Sequence, residues 1–160
     1  MPTTYAIPNG RTVMDAITYT GDDVNNRLIS NVDNGTAGFK PDFVWAKARN
    51  QTYSHTLYDS LRGGANKLSS NSTDAEAANY ANGQVSFQST GFNAVAGSNG
   101  MITINETGTT YVAWQWQAGQ GSNTTNTTGT ITSTVSANTT AGFSIVTVSY
   151  THLTLPTILL

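Results

Sequence analysis

Short runs of alternating apolar and polar residues recur along the chain, and the clearest of them is 43–49. Phe43, Val44 and Trp45 are residue types that favour strands, and Pro41 lies just before the run, where no ladder N–H is needed. Alternation with a period of two assigns the side chains to two faces. One face carries Val44, Ala46 and Ala48, and the other carries Phe43, Trp45, Lys47 and Arg49.

Similar runs predict a series of short strands separated by turns rich in Gly, Asn and Ser. The predicted strands are 16–20, 27–29, 43–49, 56–60, 67–69, 84–88, 92–95, 110–118, 130–135 and 143–147. Residues 73–76 have capping-box spacing, which indicates either one or two helical turns or a structured loop. Many strands with little helix predict an all-β fold, an antiparallel β-sandwich of the jelly-roll type or a related one.

The same pattern divides the chain into segments. Residues 1–118 are expected to form the sandwich domain, with 1–15 as an irregular lead-in. Residues 119–129 are polar throughout and predict a linker or surface loop. Residues 130–147 are interpreted either as the last strands of the sandwich or as the start of a second, truncated repeat.

Composition narrows the classes of function. The 160 residues suffice for one domain with a core, but only 10% are charged and the net charge is −2, which disfavours a nucleic-acid partner. No apolar run is long enough to span a bilayer, and the first residues lack the features of a signal peptide, so no membrane partner is expected. The absence of cysteine excludes a disulfide framework. Every Asp, Glu, Lys and Arg lies at or before Glu106.

An ordered set of stretches carries a family resemblance. They are GFKPDFVW at 38–45, LYDSLRG at 57–63, LSSNSTDAE at 68–76, STGF at 89–92 and YVAWQW at 111–116. Together they resemble a domain of unknown function that recurs, often in tandem, in structural and tail-fibre-type proteins of phages, notably marine phages. The resemblance covers roughly residues 16–147. It implies a lectin-like, concanavalin-type sandwich in a virion fibre, and it supplies no catalytic or ligand-binding residues.

Because domains of that family often occur in tandem, the C-terminal part of the chain can be compared with the start of a following copy. Gly142–Thr147 is similar to the start of a following copy, as Ala16–Gly21 is to the start of this one. Residues 148–157 instead resemble the translation of a transposase sequencing adapter. We therefore expect 148–160 to be read-through on a metagenomic fragment. The alternative is a genuine apolar tail that packs or oligomerises.

Two groups of residues were considered for catalysis or metal binding. His55 and Asp59 lie four residues apart, but a triad needs a nucleophile and base within hydrogen-bond reach, and a strand-edge histidine is the favoured interpretation. Oxygen donors in one loop could hold Ca²⁺, although such clusters are usually solvated turns. They are Asp22, Asp23, Asn25 and Asn26. No catalytic residue, metal site or cofactor is therefore predicted.

Aromatic residues are the remaining candidates for binding. Trp45, Trp114 and Trp116 could stack on sugar rings, but tryptophan in strong strands is more often buried, and we expect all three in the core. Tyr53 and Tyr80, in predicted loops, are freer for recognition.

These observations favour a non-enzymatic structural module of a phage virion, located in a tail fibre or similar appendage. Other virion proteins or further copies of the chain are the expected partners, and a host-surface glycan is a candidate ligand. The alternative is a secreted or surface carbohydrate-binding module, which would be extracellular. A glycan hydrolase is disfavoured, because no strand carries the alternating acidic residues that resemblance to such enzymes would require.

Overall fold

The computed structural model describes residues 7, 9–32 and 37–148. A short 3₁₀ turn, Gly10–Thr12, precedes ten strands. The strands are β1 Met14–Thr20, β2 Arg27–Ser30, β3 Phe43–Ala48, β4 Thr56–Asp59, β5 Gln84–Gln88, β6 Gly91–Val95, β7 Thr110–Trp116, β8 Asn123–Asn126, β9 Ser133–Asn138 and β10 Phe143–Val148.

The strands form three antiparallel sheets. A four-stranded sheet has the order β1-β7-β3-β4, a three-stranded sheet has the order β2-β6-β5, and the last three strands form a third sheet, β10-β9-β8. The first two sheets pack face to face, and their inner side chains form one core. The predicted all-β antiparallel sandwich is thereby confirmed.

The core depends on small residues at the centre of the four-stranded sheet. Ala46 of β3 is paired in register with Ala113 of β7, and both are fully buried. Tyr58 and Phe92 are fully buried in the same core, and the burial of a phenylalanine side chain contributes roughly 1.5–3 kcal/mol. The buried core cluster is Ile29, Val44, Ala46, Tyr58, Val85, Phe92, Ala94, Met101, Ile104 and Ala113.

A buried carboxylate fastens the ends of three segments together. Asp42 Oδ1 accepts from Ser60 Oγ at 2.9 Å, and Oδ2 accepts from Ala118 N at 2.8 Å and Gln120 N at 3.1 Å. Its own backbone N donates to Trp116 O at 2.8 Å. Asp42 thus joins the start of β3, the end of β4 and the exit from β7. Buried charge is tolerated here because several donors satisfy it.

The turn before Asp42 is held by a side-chain clamp. Asn31 Nδ2 donates to Phe39 O at 2.9 Å, and Phe39 N donates to Asn31 Oδ1 at 3.0 Å. Gly38 between them has φ +75, and a Cβ there would lie 2.7 Å from a Val32 methyl group. Glycine is therefore required both for the backbone conformation and for the close approach.

Several boundaries differ from the predictions. Residues 67–69 make only isolated bridges, Leu57 with Leu68 and Lys67 with Ala77, and 73–76 form a loop without a helical turn. Within 119–129, predicted to be a linker or surface loop, Asn123–Asn126 forms the exposed strand β8. Pairing with β9 satisfies the backbone groups on one side of β8, and threonine favours strands even where all four residues are exposed.

The segment 130–147 contributes β9 and β10, which pair with each other and not with either sheet of the sandwich. Whether it begins a second repeat stays a prediction. The predicted irregular lead-in, 1–15, overlaps β1, because this strand begins at Met14. Of the segment predicted to be adapter read-through, 148–160, Val148 ends β10 and the remainder lies outside the described residues. Its origin stays a prediction.

We expect Asp42→Ala to lower the free energy of unfolding by about 3 kcal/mol, because it leaves several donors, including the buried N–H of Ala118, without an acceptor. Chemical denaturation followed by circular dichroism measures this loss. The control is Asp74→Ala, which removes an exposed carboxylate and should change stability by less than about 0.5 kcal/mol. Equal effects of the two variants would contradict the role assigned to Asp42.

The hydroxyl groups of three tyrosines donate hydrogen bonds to backbone carbonyls. Tyr19 donates to Ile104 O at 2.6 Å, Tyr58 to Gly83 O at 2.8 Å and Tyr111 to Ile102 O at 2.7 Å. Desolvation raises the pKa of Tyr19 and Tyr58 well above the ordinary value, and it raises the pKa of Tyr111 to about 12. The phenols therefore stay protonated where exposed tyrosines ionise.

Stability should consequently fall as the pH rises above about 10, where the unfolded chain releases phenolic protons that the folded chain retains. We expect the native protein to show less tyrosinate absorbance than the denatured protein at the same alkaline pH. Tyr111→Phe should reduce the alkaline loss of stability. Identical tyrosinate titration curves for the native and denatured states would exclude this explanation.

Candidate functional site

The outer face of the four-stranded sheet carries a row of aromatic side chains. The alternation that buries Val44 and Ala46 turns Phe43 and Trp45 outward. The β3–β7 register sets Trp45 opposite Trp114 and Phe43 opposite Trp116. We call these four residues, with Phe143 of β10, the aromatic strip.

The rings of the strip are in mutual contact. Trp45 and Trp114 have centroids 5.4 Å apart at an interplanar angle of 55°, and Phe43 and Trp116 have centroids 5.5 Å apart. Phe143 stacks on Trp116 with centroids 5.9 Å apart and an angle of 17°. Such tilted and offset arrangements are favourable for aromatic pairs and hold the rings in place.

The expectation that the three tryptophans lie in the core is wrong. They are half-buried and lie on the face opposite the core, whereas Tyr111, Ala113 and Gln115 of β7 face inward and are fully buried. The physical reason is that the inner face must fit closely against the second sheet. The Ala46–Ala113 pair leaves space there for the large side chains of that sheet.

The C-terminal sheet covers one end of the strip. Besides the Phe143 contacts, Gly119 N donates to Ser136 Oγ at 3.0 Å and Asn138 Nδ2 donates to Gln117 Oε1 at 3.2 Å. These contacts hold the sheet over the Phe43 and Trp116 end.

The Trp45–Trp114 pair lies beyond this cover. The β1 residue paired with Trp114 is Ala16, which is small and exposed, and the next outward residue, Thr18, is exposed as well. Lys47, further along β3, donates its Nζ to Ala48 O at 2.6 Å and Gln51 O at 3.1 Å. The pair is therefore bordered on the β1 side by small or polar side chains that are exposed.

A histidine orients one ring of this pair. Trp45 Nε1 donates to His55 Nδ1 at 2.8 Å, and the two rings meet edge to face with centroids 5.5 Å apart. Because Nδ1 is the acceptor, this bond requires the neutral imidazole with its proton on Nε2. The backbone N of His55 in turn donates to Asn71 Oδ1 at 3.0 Å.

The structure does not combine His55 and Asp59 into a catalytic pair. Asp59 Oδ1 accepts from Leu61 N at 3.0 Å and Arg62 N at 2.8 Å, and its Oδ2 forms an ion pair with Arg62. The carboxylate therefore stabilises the turn after β4, while His55 orients Trp45. Neither contact activates a nucleophile.

The oxygen-rich loop is engaged in internal hydrogen bonds. Asp22 Oδ1 accepts from Val24 N at 3.0 Å and Asn105 Nδ2 at 2.9 Å, and Asn25 Oδ1 accepts from Ala96 N at 2.9 Å. Desolvation raises the pKa of Asp22, but the hydrogen bonds and the charge of Arg27 outweigh it, so the net shift is downward. Asp23 Oδ2 accepts from Thr107 N at 3.1 Å.

These oxygens fasten the loop to Asn105 and Thr107 and to Ala96, directly after β6. Within residues 7, 9–32 and 37–148, no three His, Asp or Glu side chains converge to hold a metal ion. In the same part of the chain, no helix combines the length and apolar character needed to cross a membrane.

The two loop tyrosines also have partners. Tyr53 donates to Glu106 Oε2 at 2.7 Å, and this hydrogen bond raises the pKa of its phenol. Lys67 Nζ lies 4.3 Å from the centroid of the Tyr80 ring. Both tyrosines therefore serve local contacts.

Sequence reasoning missed two members of the strip. Phe43 could have been found, because it shares a face with Trp45 in the same alternating run. Phe143 could not, because its contact with Trp116 depends on how the third sheet packs.

A comparison with protein families matched residues 10–158 to the family described as a domain of unknown function, DUF7483. The chain belongs to this family. The matched range includes 130–147 and most of the segment predicted to be adapter read-through. No curated protein and no solved structure matched the chain, so the concanavalin-type likeness stays a prediction.

We expect His55→Ala to shift the indole N–H resonance of Trp45 upfield, because its acceptor is lost, and to cost about 1 kcal/mol of stability. The chain has three tryptophans, and Trp116, whose ring packs on Phe43 and Phe143, serves as the internal control in one ¹H–¹⁵N spectrum. If all three signals move alike, His55 has a global role in packing and does not orient Trp45 alone.

Proposed function

We propose that this chain is a non-enzymatic structural module of a phage virion, placed in a tail fibre or similar appendage, and that it attaches to host-surface glycan. The observation that carries the attachment proposal is the Trp45–Trp114 pair, which is half-buried on the outer face of the four-stranded sheet beside the exposed residues Ala16 and Thr18. Aromatic faces of this kind suit the C–H groups of a pyranose ring.

Two features support the choice of ligand class. The open pair is bordered on the β1 side by Ala16 and Thr18, which are uncharged and leave room beside Trp114. The ammonium group of Lys47 is held by two backbone carbonyls at the edge of the face. A neutral or weakly charged sugar therefore fits this surface better than a strongly anionic polymer.

The virion assignment is supported by the ordered stretches that resemble phage fibre-type domains and by the low charge of the chain. Other virion proteins or further copies of the chain are its proposed partners. A secreted or surface carbohydrate-binding module is the second candidate, since the same tryptophan pair would serve it equally. Gene neighbourhood separates the two, because capsid and tail genes beside this one support the virion module.

The attachment proposal is tested by a glycan array, with the affinity for each hit measured by titration. We expect Trp114→Ala to weaken binding by roughly tenfold or more, because the sugar loses its stacking partner. The matched control is Leu28→Ala, which removes an exposed apolar side chain from the opposite sheet and should leave affinity unchanged.

Two results would overturn parts of this proposal. If the array yields no hit, or if both variants bind as the wild type does, the tryptophan pair is not an attachment site. Sugar released from a hit during incubation would contradict the non-enzymatic assignment.

A further inference from the structure

Among the described residues, strand β10 is an edge of the C-terminal sheet. In the order β10-β9-β8, β10 pairs with β9 alone among the described strands. The pairing runs without interruption from Phe143 opposite Asn138 to Val148 opposite Ser133. The other side of β10 therefore presents backbone N–H and C=O groups that can pair with a further strand.

The exposed face of this strand is apolar beside that edge. Val146 and Val148 are 56% and 55% exposed, whereas Ile145 points the other way and is buried. Val146 is paired with Val135 of β9, so branched apolar side chains continue across the sheet. Such a face adds side-chain contacts to any strand that pairs at the edge.

Within the described residues, β10 lacks the charge, the proline and the bulge that commonly protect an edge strand. Residues 107–148 contain no charged residue and no proline, and the β9–β10 register has no bulge. Two strands of the sandwich, by contrast, are covered by their own chain. Leu57 of β4 exchanges two backbone hydrogen bonds with Leu68, and Val85 N of β5 donates to Gly64 O.

We propose that β10 pairs in antiparallel orientation with β10 of a second copy of this chain, about a two-fold axis perpendicular to the sheet. The two C-terminal sheets then form one continuous six-stranded sheet. A second copy is the fitting occupant, because a two-fold contact brings the same surface against itself. A neutral edge meets its own copy without like-charge repulsion.

This orientation is also the favourable one for hydrogen bonding. A translated copy would place its β8 edge parallel to β10, and parallel pairing is slightly less stable per residue. The two-fold arrangement keeps the exposed valines of both copies on one face of the joined sheet. The proposed dimer contact lies on a different sheet from the Trp45–Trp114 pair. The dimer proposal is therefore independent of the glycan-attachment proposal.

The test is sedimentation equilibrium of the full chain over a range of concentrations. We expect the mass to rise from 16.9 kDa to twice that value and then to level off. Val146→Lys should raise the dissociation constant by more than about tenfold, since it sets like charges across the two-fold contact. Val24→Lys is the matched control, because Val24 is 55% exposed in the loop before β2; it should leave the constant unchanged.

Three outcomes would overturn the proposal. They are a wild-type chain that stays monomeric, equal weakening by Val146→Lys and Val24→Lys, and association that continues beyond two copies. If Val146→Lys fails to fold by circular dichroism, Ser144→Lys takes its place, since Ser144 is exposed on the same face of β10. Dimerisation unaffected by Ser144→Lys would then reject the β10 contact.

Discussion

Strands β3 and β7 pair through two buried alanines, and this register sets both the packing of the core and the position of the aromatic strip. Ala46 and Ala113 lie opposite each other on the inner face, and their small size lets the second sheet fill the interior with larger side chains. Because side chains alternate, the same register brings Trp45 beside Trp114 on the outer face. The core and the candidate site therefore lie on opposite faces of the same pair of strands.

Asp42 extends this arrangement toward the C-terminal part of the chain. Its carboxylate receives N–H groups from Ala118 and Gln120, directly after β7, and so sets the path by which the chain leaves the sandwich. Further along the chain, Phe143 of β10 stacks on Trp116. The third sheet consequently covers one end of the aromatic strip, and only the Trp45–Trp114 end stays open. Membership of a family of unknown function is consistent with this fold and does not assign an activity to it.

Much of the fold could be predicted from local pattern. Alternation and β-branched residues located β3, β5 and β7 to within about two residues, since the strand period of two depends only on neighbouring residues. Local pattern does not distinguish a helical turn from a loop at 73–76, because a capping box is a weak local signal. Strand β8 was missed because its four residues are exposed and polar, and its pairing partner, β9, determines its conformation.

The all-β class, the two faces of β3 and β7, and the uncharged character of everything after Glu106 follow from the amino-acid pattern alone. That pattern does not show which face is buried, because both faces of these strands carry apolar residues. Packing of the two sheets selects the buried face, since Val44, Ala46 and Ala113 fit against the second sheet and the tryptophans lie outside. The reason is that burial is settled by the space between packed sheets, and that space is a property of the whole fold.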